Sequence, residues 1–172
     1  MGVMGQVLLS LWTWFEIGLC ALVGFLAQLL LWPLTILFDR RRLLVGRCLR
    51  LTGVLSARLT PFWRFSVYGD VPRRLEGRTV FVANHESQAD PFLISLLPWE
   101  MKWLAKASLF RVPVIGWSMA LAGDIPIHRG NDLSVKKAMA QCARWLERGV
   151  PVVLFPEGTR SLDGNMAPVK AG

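Results

Sequence analysis

From Ile17 to Phe38 the chain is apolar except for Gln28 and small residues, and Glu16 is the only charged side chain before Asp39. As a helix this run reaches across a hydrocarbon core of roughly 30 Å. Pro33 predicts either a kink or the turn of a re-entrant hairpin. Residues 43–65 are apolar with interspersed arginines, which predicts an interfacial helix or the second arm of a membrane hairpin. Past residue 66 the pattern changes to short apolar runs separated by helical periods. Ser66–Asp70 reads as a short strand ending in a turn. Thr79–Ala83 is a continuous β-branched and aromatic run, hence a buried strand. Asp90-Pro91 opens a short helix to Leu97, with Asp90 as its N-cap. Met101–Ala105 and Ile125–His128 read as strands and Val114–Ala122 as a helix ending at Gly123. Asp132–Arg148 is a helix with Val135, Met139, Cys142 and Leu146 on its inner face. Pro151–Phe155 is a buried strand.

Alternating strands and helices predict an α/β fold, a largely parallel sheet flanked by helices, preceded by an N-terminal membrane helix or helical hairpin. The length of 172 residues suits one α/β domain. The shift near residue 66 divides a membrane-anchoring region, 1–65, from a catalytic domain, 66–172.

Composition adds two constraints. Apolar residues make up 53% of the chain, and the mean hydropathy of +0.40 is carried mostly by the N-terminus. The net charge of +8 would suit nucleic acid, but Arg40, Arg41, Arg42, Arg47 and Arg50 cluster beside the apolar run and no nucleic-acid motif is present. A membrane surface is the expected partner, with the arginine-rich flank on the cytoplasmic side. Trp12, Trp14 and Trp32 stand at interface positions of the apolar segment. Cys20, Cys48 and Cys142 have unrelated spacings and suggest neither disulfides nor zinc.

The chemistry sits in two motifs, each following an apolar strand. Asn84-His85-Glu86-Ser87-Gln88-Ala89-Asp90 offers a general base with an acid five positions on. A carboxylate on one imidazole nitrogen fixes the tautomer and leaves the other nitrogen to take a proton from a hydroxyl. Alone, this spacing is more often a helix cap beside a polar loop residue. Phe155-Pro156-Glu157-Gly158-Thr159-Arg160-Ser161 changes that balance. Its glycine lets backbone approach a ligand and Arg160 offers a fork to phosphate. Arg129 after Ile125-Pro126-Ile127 is a weaker case of the same kind. Lys106 reads as a solvated lysine beside that site. Ser87 is expected to bond within its turn. Trp63, Trp99, Trp103 and Trp117 are expected in the core or along an acyl groove. His128 lacks partners for a metal site.

Together, Asn-His-x-Ser-x-x-Asp and Phe-Pro-Glu-Gly-Thr-Arg-Ser resemble the glycerolipid acyltransferase family, specifically its 1-acylglycerol-3-phosphate acyltransferases. Gly123, Ile125, Ile127 and Arg129 resemble the family's second block, with Pro126 and His128 as departures. The resemblance covers residue 66 onward. It implies that His85 deprotonates the sn-2 hydroxyl of lysophosphatidic acid while Asp90 orients it. The oxygen would attack the thioester of acyl-CoA or acyl-carrier protein, with no acyl-enzyme, metal or cofactor, and yield phosphatidic acid. Arg129, Glu157, Gly158, Thr159 and Arg160 would bind the acceptor. Another lysophospholipid headgroup, or a catalytically silent truncated lipid-binding protein, are the alternatives. The family continues into a fourth, apolar block, whereas this chain stops at Val169-Lys170-Ala171-Gly172, so it reads as C-terminally incomplete.

Overall fold

The computed structural model describes residues 2–161. The stretch bearing the expected C-terminal truncation, Val169–Gly172, lies outside them. The elements are α1 (Val3–Thr35), α2 (Leu43–Leu59), β1 (Val80–Val82), α3 (Asp90–Ile94), β2 (Lys102–Lys106), a 3-10 turn (Ala107–Arg111), α4 (Ile115–Ala122), β3 (Ile125–Ile127), α5 (Asp132–Glu147) and β4 (Val152–Leu154). The four strands form one sheet in the order β1-β4-β2-β3, and every pairing is parallel. This bears out the expected α/β class. Parallel pairing sends the carboxyl end of every strand to the same edge.

The apolar N-terminus is a single 33-residue helix, long and apolar enough to cross a membrane. Pro33 lies inside it, in the last turn, so the reversal comes later. Arg42, in the left-handed region at φ 51°, turns the chain. The Asp39 carboxylate accepts the N–H groups of Leu43 and Leu44 at 2.8 Å each, satisfying two open donors of α2. α1 and α2 form an antiparallel hairpin. Glu16, Cys20, Gly24 and Gln28 make its inner stripe. A Cβ at Gly24 would collide with the Thr52 side chain, so glycine sets how closely the helices approach. Thr60 Oγ1 donates to Glu16 Oε1 at 2.6 Å. Gln28 Nε2 donates to Val45 O at 3.0 Å and Ser118 O at 3.3 Å, tying the hairpin to α4. The outer faces stay apolar and exposed, from Leu8, Phe15, Leu22 and Leu30 on α1 to Leu51 and Leu55 on α2.

Two core clusters cover the two sheet faces. Ile125, Val150 and Val152 pack under Ala138, Cys142 and Trp145 of α5. Met101, Trp103 and Val153 pack with Ile94, Leu97, Trp99 and Phe155. The inner face of α5 therefore differs from the expected one. Met139 is 42% exposed, and the buried stripe runs Ala138–Cys142–Trp145. Trp145 wins because its indole packs with Ile125 at the start of β3.

Other expectations are corrected. Ser66–Asp70 forms no strand, and no described segment pairs with it. Thr79–Ala83 is not buried throughout. β1 is an edge strand, and Val82 is 61% exposed. Asp90 is the first helical residue rather than the N-cap, which is Ala89. Trp117 is half exposed against Phe25 of α1, rather than in the core. Pro126 is accommodated because β3 closes the other edge of the sheet, where a strand side needs no N–H donor.

Candidate active site

β1 and β4 are neighbours, so the loops that follow them meet. The last ladder bond runs from Ala83 N to Leu154 O, at 3.3 Å. Beyond it the β1 loop curls around the Asp90 carboxylate. Asp90 Oδ2 lies 2.7 Å from His85 Nδ1 and accepts the N–H groups of Glu86 at 2.9 Å and Ser87 at 3.0 Å. Three donors on one oxygen fix that carboxylate against the ring. Ser87 Oγ accepts Ala89 N–H, the turn bond expected of it. With Nδ1–H donated to Asp90, the lone pair lies on Nε2. No described residue engages Nε2, and the His85 side chain keeps 19% of its exposure.

The β4 loop supplies the floor and the clamp. The Phe155 ring stacks on the His85 imidazole, with centroids 4.3 Å apart and planes at 26°. Glu157 is buried, and its Oε1 accepts the backbone N–H of His85 at 2.9 Å. Ser161 N donates to His85 O at 2.7 Å. Gly158 closes the turn by donating to Phe155 O, at φ 67°, which favours glycine. Thr159 and Arg160 are exposed just past this turn. The clamp was invisible in the sequence as a contact. Its only signal was that both motifs follow strands of one parallel sheet.

Arg129 is exposed after β3, three places along the sheet from β1. At 4.7–4.9 Å per strand that is roughly 14 Å from the β1 loop. Lys106, at the end of the intervening β2, is exposed on the same edge. Neither Arg129 nor Arg160 has an ion pair with a described residue. Base and cations thus share one edge without touching. Such spacing suits a reacting hydroxyl at His85 and an anionic group farther along the same molecule.

Beneath the sheet, four charged residues from separate parts of the sequence converge. Arg50 of α2 meets Asp124 at 2.6 Å and Glu100 at 3.9 Å, and Lys102 meets Glu100 at 2.9 Å. Asp124 also accepts Trp103 N–H at 2.9 Å, and Lys102 Nζ donates to Arg42 O at 2.9 Å. A Cβ at Gly46 would collide with Glu100, so this glycine makes room for the pair. Burial pushes the Glu100 carboxyl up against the pull of Arg50 and Lys102, and burial pushes the Lys102 amine down. The network fastens the hairpin to β2 and to the start of β3.

Comparison with known proteins agrees with this architecture. The acyltransferase family model matches residues 64–172. A 1-acyl-sn-glycerol-3-phosphate acyltransferase of Chlamydomonas reinhardtii is 36% identical over 156 residues, 90% of this chain and 46% of the relative. A chloroplastic 1-acyl-sn-glycerol-3-phosphate acyltransferase of Brassica napus is 32% identical over 158 residues, 90% of this chain and 45% of the relative. The crystal structure of the 1-acyl-sn-glycerophosphate acyltransferase PlsC from Thermotoga maritima matches with a TM-score of 0.74 at 25% identity, over 97% of this chain and 66% of that one. The chain spans slightly under half the length of these two curated relatives. With the motif loops meeting at one sheet edge and a family match over most of its length, the chain belongs to the acyltransferase family.

Proposed function

We propose that this protein transfers an acyl group from acyl-CoA or acyl-carrier protein to the sn-2 hydroxyl of lysophosphatidic acid, giving phosphatidic acid. The observation that carries the reading is the 2.7 Å contact of His85 Nδ1 with a triply held Asp90 oxygen. It leaves Nε2 as base. His85 takes the hydroxyl proton as the oxygen attacks the thioester carbonyl. The carbon–sulfur bond then breaks, and the imidazolium returns the proton to the leaving thiolate. Asp90 stabilises the imidazolium between those steps. The acyl group passes directly to the acceptor, so no acyl-enzyme is needed. Base, orienting acid and phosphate-binding cations are all side chains, so the chemistry calls for no cofactor beyond the acyl donor.

Arg129 and Arg160 hold the acceptor phosphate, with Gly158 and Thr159 shaping the loop and Glu157 setting its height against His85. The names of the curated relatives support a glycerol-3-phosphate headgroup. The apolar outer face of the hairpin beds in the membrane, because the inner face is committed to α2 and α4. The arginines following α1 support a catalytic domain on the cytoplasmic side.

The test is transfer of labelled acyl groups by the full chain in mixed micelles, comparing lysophosphatidic acid with lysophosphatidylcholine and lysophosphatidylethanolamine. Preference for lysophosphatidic acid by at least about tenfold is expected, the discrimination worth one charge-assisted contact. Preference for another acceptor would reassign the headgroup. Transfer to none would favour the silent lipid-binding alternative.

A further inference from the structure

On the sheet edge opposite His85, a cavity of about 560 Å³ opens where α1 ends, the chain turns and α5 finishes. Arg40 and Arg42 from the turn, Arg148 from the end of α5, and Trp32 and Trp145 line it. A second hollow of about 240 Å³ continues it along α5, sharing Trp145 and Arg148 and adding Arg144. Gly123 and Asp124 border the cavity immediately before β3. With Pro126 and Phe110 also in its wall, the cavity runs along the β3 side of the sheet from its amino end, across the sheet from β1 and His85. Extended chain from Val150, near the cavity's Arg148, to Phe155, under His85, spans roughly 17 Å at 3.3 Å per residue.

The charge in this cavity is not balanced from within. Asp39 is spent on the first turn of α2, and Asp124 on Arg50 and Trp103 N–H. Arg42 is held by the carbonyls at the end of α4, with Nη1 donating to Ala120 O at 2.9 Å. Arg40, Arg144 and Arg148 have no ion pair with a described residue. The Arg148 guanidinium lies 5.2 Å over the Trp145 ring, which holds its fork near the opening. Forked guanidiniums without a counter-anion in a half-enclosed space are matched to phosphate oxygens.

The approach to the cavity is apolar. Ile36, itself a lining residue, is 47% exposed, and Leu34 and Leu37 beside it are 72% and 86% exposed. A molecule with acyl chains along that surface would bring its headgroup to the arginines, with the Trp32 indole at the boundary. We propose that this cavity binds the phosphate of a membrane phospholipid headgroup, at a site separate from the acyl-transfer centre. The proposal does not depend on which acyl acceptor is used.

The full chain in non-ionic micelles, titrated with phosphatidylglycerol and observed by native mass spectrometry, should retain one lipid. Arg40→Gln with Arg148→Gln should weaken retention by at least about tenfold. The charge-matched control, Arg73→Gln with Arg74→Gln on an exposed loop, should leave it within about twofold. Arg148→Lys, which keeps charge and loses the fork, should fall between. It gives the same reading should the double variant lose its circular-dichroism melt. Equal weakening by both pairs of glutamines would overturn the site in favour of diffuse attraction. Displacement of the lipid by millimolar inorganic phosphate would overturn its assignment to a lipid headgroup.

Discussion

Glu157 and His85 stand 72 positions apart, and the carboxylate of the first accepts the backbone N–H of the second at 2.9 Å. Ser161 holds the His85 carbonyl from the same loop. The β4 motif thus grips the main chain of the residue proposed as the base. Glu157→Ala would leave that N–H without its partner, at about 1–3 kcal/mol, and let the imidazole drift. Since small misplacements of a reacting group are expensive in rate, kcat should fall by roughly 10–100-fold with little change in acceptor KM. Glu157→Gln keeps an oxygen acceptor and should recover most of the loss. A raised KM in both variants with kcat intact would place Glu157 on the acceptor instead.

Arg129 and Arg160 are exposed on the catalytic edge and have no ion pair among the described residues. Replacing either by alanine should weaken use of lysophosphatidic acid by about 1.5–3 kcal/mol, the worth of a hydrogen bond to a charged group. The loss should shrink on an acceptor without a phosphate monoester. Equal losses on both acceptors, measured as kcat/KM, would make these arginines structural.

The buried Glu100–Lys102 pair sets a pH signature on stability. Glu100 is held above its ordinary 4.5 by burial, so its contribution is full below 4.5 and is lost as pH rises through the folded value. Lys102 is held below 10.5 by burial, so its contribution is full above 10.5 and is lost as pH falls through the folded value. The charged pair therefore helps least between those limits. Glu100→Gln with Lys102→Met should gain stability over the parent most near neutrality and less toward either extreme. Lys102→Met alone leaves Glu100 with only the longer 3.9 Å contact to Arg50 and should cost up to about 3–5 kcal/mol. Denaturant melts across pH would show it. A single variant no less stable than the double would mean the pair is not coupled.

How far the sequence revealed this molecule depends on how local each cause is. The helical hairpin, the alternation of strands and helices, and the position of both motifs past strand ends rest on runs of neighbouring residues, and these were legible. The limits of burial were not. Val80 and Val82 look like core residues, but only sheet order decides that β1 is an edge. The inner face of α5 turned by a residue because Trp145, not Met139, finds space under the sheet. Arg50, Glu100, Lys102 and Asp124 come from different elements, and each alone looks like a solvated charge. In the site, the His85–Asp90 pair was legible because five positions can fold back on themselves. Stacking of Phe155 on His85 was not, since it needs β1 beside β4.

The central claim is that His85, oriented by Asp90, is the base for acyl transfer. Its most direct test is the turnover of lysophosphatidic acid in mixed micelles by the full chain and by His85→Ala, with membrane association and melting measured alongside. A loss of roughly 10²–10⁴-fold in kcat is expected with both controls unchanged, the usual contribution of a general base. Turnover by His85→Ala equal to that of the parent would contradict it.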